Sequence, residues 1–272
     1  MLLRLVILAL IVMTIIGCGS TSTENTDEDL ADSGPVATAT AVPPTPVPPT
    51  PVPPTPEPIG FSGTGDHLSS TFELVQQSFL LLHIDHNGSG NFAIKLLPEE
   101  GDGYEFGVDT IGTYEGTLAN PINSESDLGL KPGLHRLEVT ADGDWNAEIA
   151  QHFWTKRDAL DRQGPFLIVS GKGDGIVGPV NLIAGILPLK ATHKGSGNFE
   201  IRIFSTDGKN MTSVVNEVGE YRGQKTIRVK YNPDIGVSDG VNLLVVTADG
   251  EWKVEIAEPV PDQGPGSEPK RS

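Results

Sequence analysis

His86-Asn87-Gly88-Ser89-Gly90-Asn91-Phe92 returns 107 residues later as His193-Lys194-Gly195-Ser196-Gly197-Asn198-Phe199. The same shift carries Gly112, Tyr114 and Gly116 onto Gly219, Tyr221 and Gly223. It also carries Thr140 to Gly143, Trp145 and Glu148 to Ala150 onto Thr247 to Gly250, Trp252 and Glu255 to Ala257. Upstream, Gly63, Gly65, Asp66 and Leu74 match Gly171, Gly173, Asp174 and Leu182 at a shift of 108, so a one-residue length difference falls between Leu74 and Phe79 in the first copy and Leu182 and Ile186 in the second. A fixed offset with a length change confined to one loop means a duplicated folding unit.

Working outward from the repeat, both copies alternate with period two. Leu80, Leu82 and Ile84 interleave with Leu81, His83 and Asp85, and Leu187, Leu189 and Ala191 stand at the matching places. Phe92, Ile94 and Leu96 interleave with Asn91, Ala93 and Lys95, as Phe199, Ile201 and Ile203 do with Asn198, Glu200 and Arg202. Such alternation marks strands with one buried face. Asn87-Gly88, Lys194-Gly195, Asp142-Gly143 and Asp249-Gly250 separate alternating runs and are expected to form tight hairpins through positive φ. Thr155 to Arg162, between the copies, is the one candidate helix. About seven or eight strands per copy predict an all-β chain of two tandem β-sandwich, jelly-roll-like domains. The expected repeats span 61–151 and 165–258, with a connector at 152–164 and a disordered tail at 259–272.

The N-terminus reads as a targeting segment. Arg4 precedes an apolar run from Leu5 to Ile16, and Ile15-Ile16-Gly17-Cys18 follows. Twelve helical residues reach only about 18 Å, short of a bilayer core of roughly 30 Å. The tetrapeptide resembles the lipobox of bacterial lipoproteins. That resemblance implies cleavage of a signal peptide at 1–17 and acylation of Cys18 with diacylglyceryl and palmitoyl chains, placing the protein outside the cytoplasm on a bacterial membrane. Cys18 is the only cysteine, which excludes a disulfide framework and a thiolate metal site. From 18 to 60 the chain is a polar, then Pro/Thr-rich, disordered stalk. Val-Pro-Pro-Thr-Pro occurs three times from Val42, and Val42 to Pro58 as polyproline II spans roughly 50 Å.

The net charge of −17 disfavours nucleic acid and anionic surfaces as partners of the chain as a whole. Cleavage of the signal removes Arg4 and takes the expected charge to −18.

Gly-x-Gly-Asp, Gly-Ser-Gly-Asn-Phe, Gly-x-Tyr-x-Gly and Ala-Asp-Gly-x-Trp follow in order in both copies. This series resembles tandem accessory modules of bacterial exported proteins, similar to the pre-peptidase C-terminal and collagen-binding jelly-roll family. The resemblance implies non-catalytic modules, some of which bind calcium or matrix polymers.

Candidate site residues come from the repeated positions. Trp145 and Trp252 share a strand face with Ala147 and Ile149, or Val254 and Ile256, and are expected in the cores rather than as sugar platforms. Trp154 is expected at the junction of the repeats. Asp66, Asp174, Asp142 and Asp249 read first as turn formers and second as calcium ligands. Tyr114 and Tyr221 read as half-buried rings with a hydroxyl on a loop carbonyl, or as ligand contacts at a sandwich rim. His83, Asp85 and His86 read as surface residues, because their side chains diverge. No nucleophile, carboxylate pair or phosphate loop recurs, so no enzyme is expected. The predicted protein is a membrane-anchored, surface-exposed binding lipoprotein with a polysaccharide or extracellular protein as partner. The alternatives are a calcium-dependent adhesion module of collagen-binding type and a structural envelope lipoprotein.

Overall fold

The computed structural model describes residues 54–100, 106–125, 129–155, 158, 167–231 and 236–257. Cys18, the lipobox, most of the stalk and the tail lie outside them. Of the predicted helix only Thr155 and Asp158 are described, with the Asp158 carboxylate accepting from Thr155 N and Oγ1 at 2.6 and 2.8 Å. Both repeats belong to one compact unit, Thr50–Ser272.

Repeat 1 contains β1 (Ile59–Thr64), β2 (His67–Leu68), β3 (Phe72–Leu74), β4 (Ser78–Asn87), β5 (Asn91–Pro98), β6 (Phe106–Ile111), β7 (Tyr114–Ile122), β8 (Gly133–Thr140) and β9 (Asp144–His152). They form two facing sheets: sheet I in the order β1-β9-β4-β7, and sheet II in the order β2-β8-β5-β6 with β3 also on β8. Repeat 2 contains β10 (Leu167–Lys172), β11 (Gly175–Leu182), β12 (Gly185–Lys194), β13 (Asn198–Ser205), β14 (Met211–Val218), β15 (Tyr221–Lys230), β16 (Val237–Ser238), β17 (Gly240–Thr247) and β18 (Glu251–Ile256). Sheet III runs β10-β18-β12-β15-β16 and sheet IV runs β11-β17-β13-β14. Taking β2 and β3 as one interrupted strand, each repeat is a jelly roll of two four-stranded sheets, with β16 added at one edge. The break between β2 and β3 corresponds to a register shift between Val177 and Val180 in β11.

The alternating runs pack as expected, but the turns between them are not hairpins. β4 lies in sheet I and β5 in sheet II, so Gly88-Ser89-Gly90 carries the chain across the sandwich. Asp142-Gly143 does the same between β8 and β9, and both arches recur in repeat 2. None of Gly88, Gly143, Gly195 or Gly250 has positive φ. Glycine is required there by close approach: a Cβ on Gly143 would strike the Asn87 carbonyl, and one on Gly250 the Lys194 carbonyl. Both strands are apolar on the face toward the sandwich interior, and an arch lets one chain contribute to both facing sheets.

Each sandwich seals its own core. Leu80, Leu82, Ile84, Phe92, Ile94 and Leu96 are fully buried in repeat 1, and Leu189, Phe199, Ile201, Leu244 and Val246 in repeat 2. Trp145 (4% exposed) and Trp252 (5%) belong to these cores. Their indole N–H groups donate to the carbonyls of Gly65 and Gly173 at 2.9 and 2.8 Å.

A third cluster joins the repeats. Phe79 and Ala119 from sheet I meet Phe204, Leu243 and Val245 from sheet IV, with Leu81, Trp154, Ile176 and Met211 against them. Trp154 thus packs at the predicted junction, with its ring 5.5 Å from Phe79.

Candidate functional site

One end of each jelly roll carries the same polar node. In repeat 1, His86 is 4% exposed and its ring stacks on Phe92 at 4.2 Å. Nδ1 lies 2.9 Å from the Gly112 carbonyl, an acceptor only, so Nδ1 carries the proton. Nε2 lies 3.3 Å from Asp142 Oδ1, without a well-aligned hydrogen bond. The other oxygen of Asp142 accepts the amides of Ser89 and Gly90 at 3.1 and 2.6 Å. Repeat 2 reproduces each contact: His193 on Phe199 at 4.7 Å, Nδ1 to Gly219 O at 2.8 Å, Nε2 to Asp249 Oδ1 at 3.1 Å, and Asp249 Oδ2 on Ser196 N and Gly197 N.

The reading of His86 as a surface residue is therefore corrected. Its place in the alternation put it opposite His83 and Asp85, which is the core side, and the flat ring fills space over Phe92. The signal that finds it is its identity with His193 under the repeat shift. The Gly90 amide is the main influence holding the Asp142 carboxyl below its ordinary range, aided by the Ser89 amide and the His86 charge. Burial alone would raise Asp249, but the Gly197 and Ser196 amides outweigh it and hold it low. Each ionised carboxylate pins one arch to the next. In each ring Nδ1 is committed to a backbone carbonyl, while Nε2 is buried facing the carboxylate oxygen.

Asp66 and Asp174 occupy matching turns and cap matching amides, Ala141 N at 3.1 Å and Ala248 N at 2.9 Å. Asp174 has a second partner. The Tyr114 hydroxyl donates to its Oδ2 at 2.6 Å, and Thr117 N donates to its carbonyl at 3.0 Å. The tyrosine hydroxyl thus reaches a carboxylate of the other repeat rather than a loop carbonyl. Burial pushes the Asp174 carboxyl up, and burial followed by the Asp174 charge pushes the Tyr114 phenol up. Tyr221 packs half-buried against Phe199 at 5.6 Å and its hydroxyl makes no hydrogen bond among the described residues. The second glycine of Gly-x-Tyr-x-Gly leaves room for the ring: a Cβ on Gly116 would lie 2.6 Å from the Tyr114 hydroxyl.

Beside this clasp opens a cleft of about 1020 Å³ walled by both repeats. Six carboxylates line it, those of Asp85, Asp109, Glu115, Asp144, Asp174 and Asp249, against the single cation Lys172. Asn87, Asn146 and Asn198 add amides, and Thr110 and Thr247 add hydroxyls. Asp174, Asp249 and Tyr114 of the sequence-derived candidates meet here; Asp66, Asp142 and Tyr221 do not. Among the described residues no three His, Cys, Asp or Glu side chains group so as to hold a metal ion. The cleft itself has no sequence signature, because its walls come from separate segments scattered between Asp85 and Asp249.

No protein-family model and no curated protein matches the chain. Among solved structures, the crystal structure of the stem and receptor binding domain of the spike protein P1 from bacteriophage PM2 aligns at 9% identity. The alignment covers 76% of this chain and 98% of that one with a TM-score of 0.13, which carries no argument about either fold or function.

Proposed function

We propose that the protein is a non-catalytic binding lipoprotein, held to a bacterial membrane by acyl chains on Cys18 and raised by the Thr/Pro stalk. Its paired jelly rolls take a hydroxyl-rich, non-anionic polysaccharide in the cleft between them. The observation that carries this reading is the cleft: about 1020 Å³, built jointly by the repeats and lined by carboxylates, amides and hydroxyls. Carboxylates and amides supply several acceptors and donors to neighbouring sugar hydroxyls. The excess negative charge repels anionic chains.

The test is a glycan array probed with the full chain in neutral detergent. Binding to uncharged or amino-bearing glycans is expected, and it should be lost on substituting Asn146→Ala with Asn198→Ala. Absence of glycan binding, or binding untouched by those substitutions, refutes the cleft assignment. Labelling with a palmitate analogue, present in the natural chain and lost in Cys18→Ala, tests the anchor separately.

A further inference from the structure

The outer face of sheet III is basic in a chain whose net charge is −17. Lys190 and Lys194 on β12, Arg222, Arg228 and Lys230 on β15, and Lys253 on β18 all point outward and are exposed. Two carboxylates, Glu251 and Glu255, share the β18 face and pair with Lys194 at 3.2 Å and Lys253 at 2.6 Å. Six cations against two anions, on three adjacent strands, reverse the sign of the molecule locally.

The fold does not require these cations. Under the repeat shift their counterparts on sheet I are His83, Asn87, Glu115, Pro121, Asn123 and Asn146, with no Lys or Arg among them. Both sheets carry the same strand order, so the difference lies in the surface alone. In sheet I part of that face is covered by sheet IV, whereas in sheet III the matching face is open.

The face is also concave. A trough of about 350 Å³ lies over the outward-facing Thr192, and Lys190, Arg222, Gln224, Lys253 and Glu255 border it. Strand register places Arg222 and Lys253 on either side of Thr192. They are therefore two strand spacings apart, roughly 10 Å, with Lys190 two residues along β12, roughly 7 Å away. Long cationic side chains at that spacing converge on one anionic group and pass a neighbouring one along the sheet. Arg222 has no ion pair among the described residues.

We infer that the outer face of sheet III is a docking site for an anionic polysaccharide, a chain bearing carboxylate groups at regular intervals. The site is separate from the cleft and does not rest on the proposal for it. Charge complementarity selects a polyanion, and the negative remainder of the surface holds that polymer to this one face. The trough fits a strand-like ligand. A membrane surface fits it less well, because no aromatic side chain projects from the face to enter an interface.

The experiment uses the full chain in neutral detergent, with polygalacturonate as probe and dextran as uncharged control, titrated at several salt concentrations. Polygalacturonate should bind and dextran should not bind this face. Substituting Lys190→Gln with Arg222→Gln should weaken binding at least about tenfold and flatten its salt dependence. Glu255→Gln should strengthen it. Unchanged thermal midpoints in these exposed variants keep the comparison free of folding effects, and Asn146→Ala, in the cleft, should leave polygalacturonate binding unaltered. No polygalacturonate binding, or binding indifferent to Lys190 and Arg222, overturns the proposal. A gain on phosphatidylglycerol over phosphatidylcholine vesicles that depends on Arg222, without polymer binding, overturns it in favour of a membrane surface; the acyl anchor contributes alike to both vesicle types.

Discussion

The Tyr114 hydroxyl of one repeat donates to the Asp174 carboxylate of the other at 2.6 Å, and the duplication offers no second copy of that bond. Asp66, the counterpart of Asp174, caps its amide without a tyrosine, and Tyr221, the counterpart of Tyr114, makes no such contact. The interface around the clasp is equally one-sided. Phe79, Leu81 and Ala119 become Ile186, Pro188 and Thr226 in repeat 2, while Leu243 and Val245 correspond to Arg136 and Glu138 in repeat 1. Two copies of one unit have thus diverged at the surfaces where they meet and kept their interiors. The cleft beside Tyr114 exists because of that divergence.

Removing the phenol tests the clasp. Tyr114→Phe leaves Asp174 buried with only the Ala248 amide, so it should cost about 1–2 kcal/mol. Tyr221→Phe should cost less than about 0.5 kcal/mol. Urea unfolding of both variants checks the contrast, and equal losses would refute it.

The acid limb of stability should contain two opposing contributions. Asp142 and Asp249 have carboxyls held below the ordinary value of 3.8, so their contribution is present above that pH and disappears as pH falls through the folded pKa. Asp174 is raised; its cost is absent at low pH and accrues as pH rises through its folded pKa. Asp142→Asn with Asp249→Asn should therefore flatten the loss of stability below about pH 4, whereas Asp174→Asn should act above about pH 4, removing the relative gain in stability that the unsubstituted chain shows there as pH falls. Urea unfolding between about pH 2.5 and 7 reads both slopes.

Two kinds of glycine should respond differently to substitution. Gly112 has φ of +90° and open space around it, so Gly112→Asn should be tolerated better than Gly112→Ala. Gly143 has no positive φ but sits against the Asn87 carbonyl, so Ala and Asn should both destabilise, by about 1–3 kcal/mol or more. Thermal melts of the four variants decide this, and a selective rescue by Asn at Gly143 would contradict it.

The glycines also mark where sequence reading stops. Alternation around Leu82, Phe92 and Trp145 exposes the strands, their buried faces and the duplication, since these follow from local period and from identity at a fixed shift. The partner of each strand does not follow. Asn87-Gly88 is compatible with a hairpin and with an arch, and the choice is made by packing between sheets, which places β5 beside β8 rather than β4. His86 illustrates the same limit at the level of a side chain: its polarity suggests solvent, while its ring lies flat on Phe92. The basic face of sheet III was present in the sequence as six separate residues. Only strand order brings them together.

The interface chemistry predicts what happens when the open face of repeat 1 is made to resemble the closed face of repeat 2. Arg136 and Glu138 stand on β8 where Leu243 and Val245 stand on β17, and Arg136 is paired with Glu99 at 3.1 Å. Leu68, already 53% exposed, corresponds to Ile176 of the buried cluster. Arg136→Leu with Glu138→Val should therefore join Leu68 and Leu97 in one apolar patch on the outside of sheet II. The complementary face of the same molecule is already occupied, so the patch can be covered only by another chain, through Ile186 and Pro188 of its sheet III. Such contacts are head-to-tail and do not close, so sedimentation velocity should show species that grow with concentration beyond those of the unsubstituted chain. Arg136→Gln with Glu138→Gln, which removes the charges without adding apolar area, should sediment as the unsubstituted chain does. Identical sedimentation of both double variants would mean that the charges at Arg136 and Glu138 do not keep this face from associating.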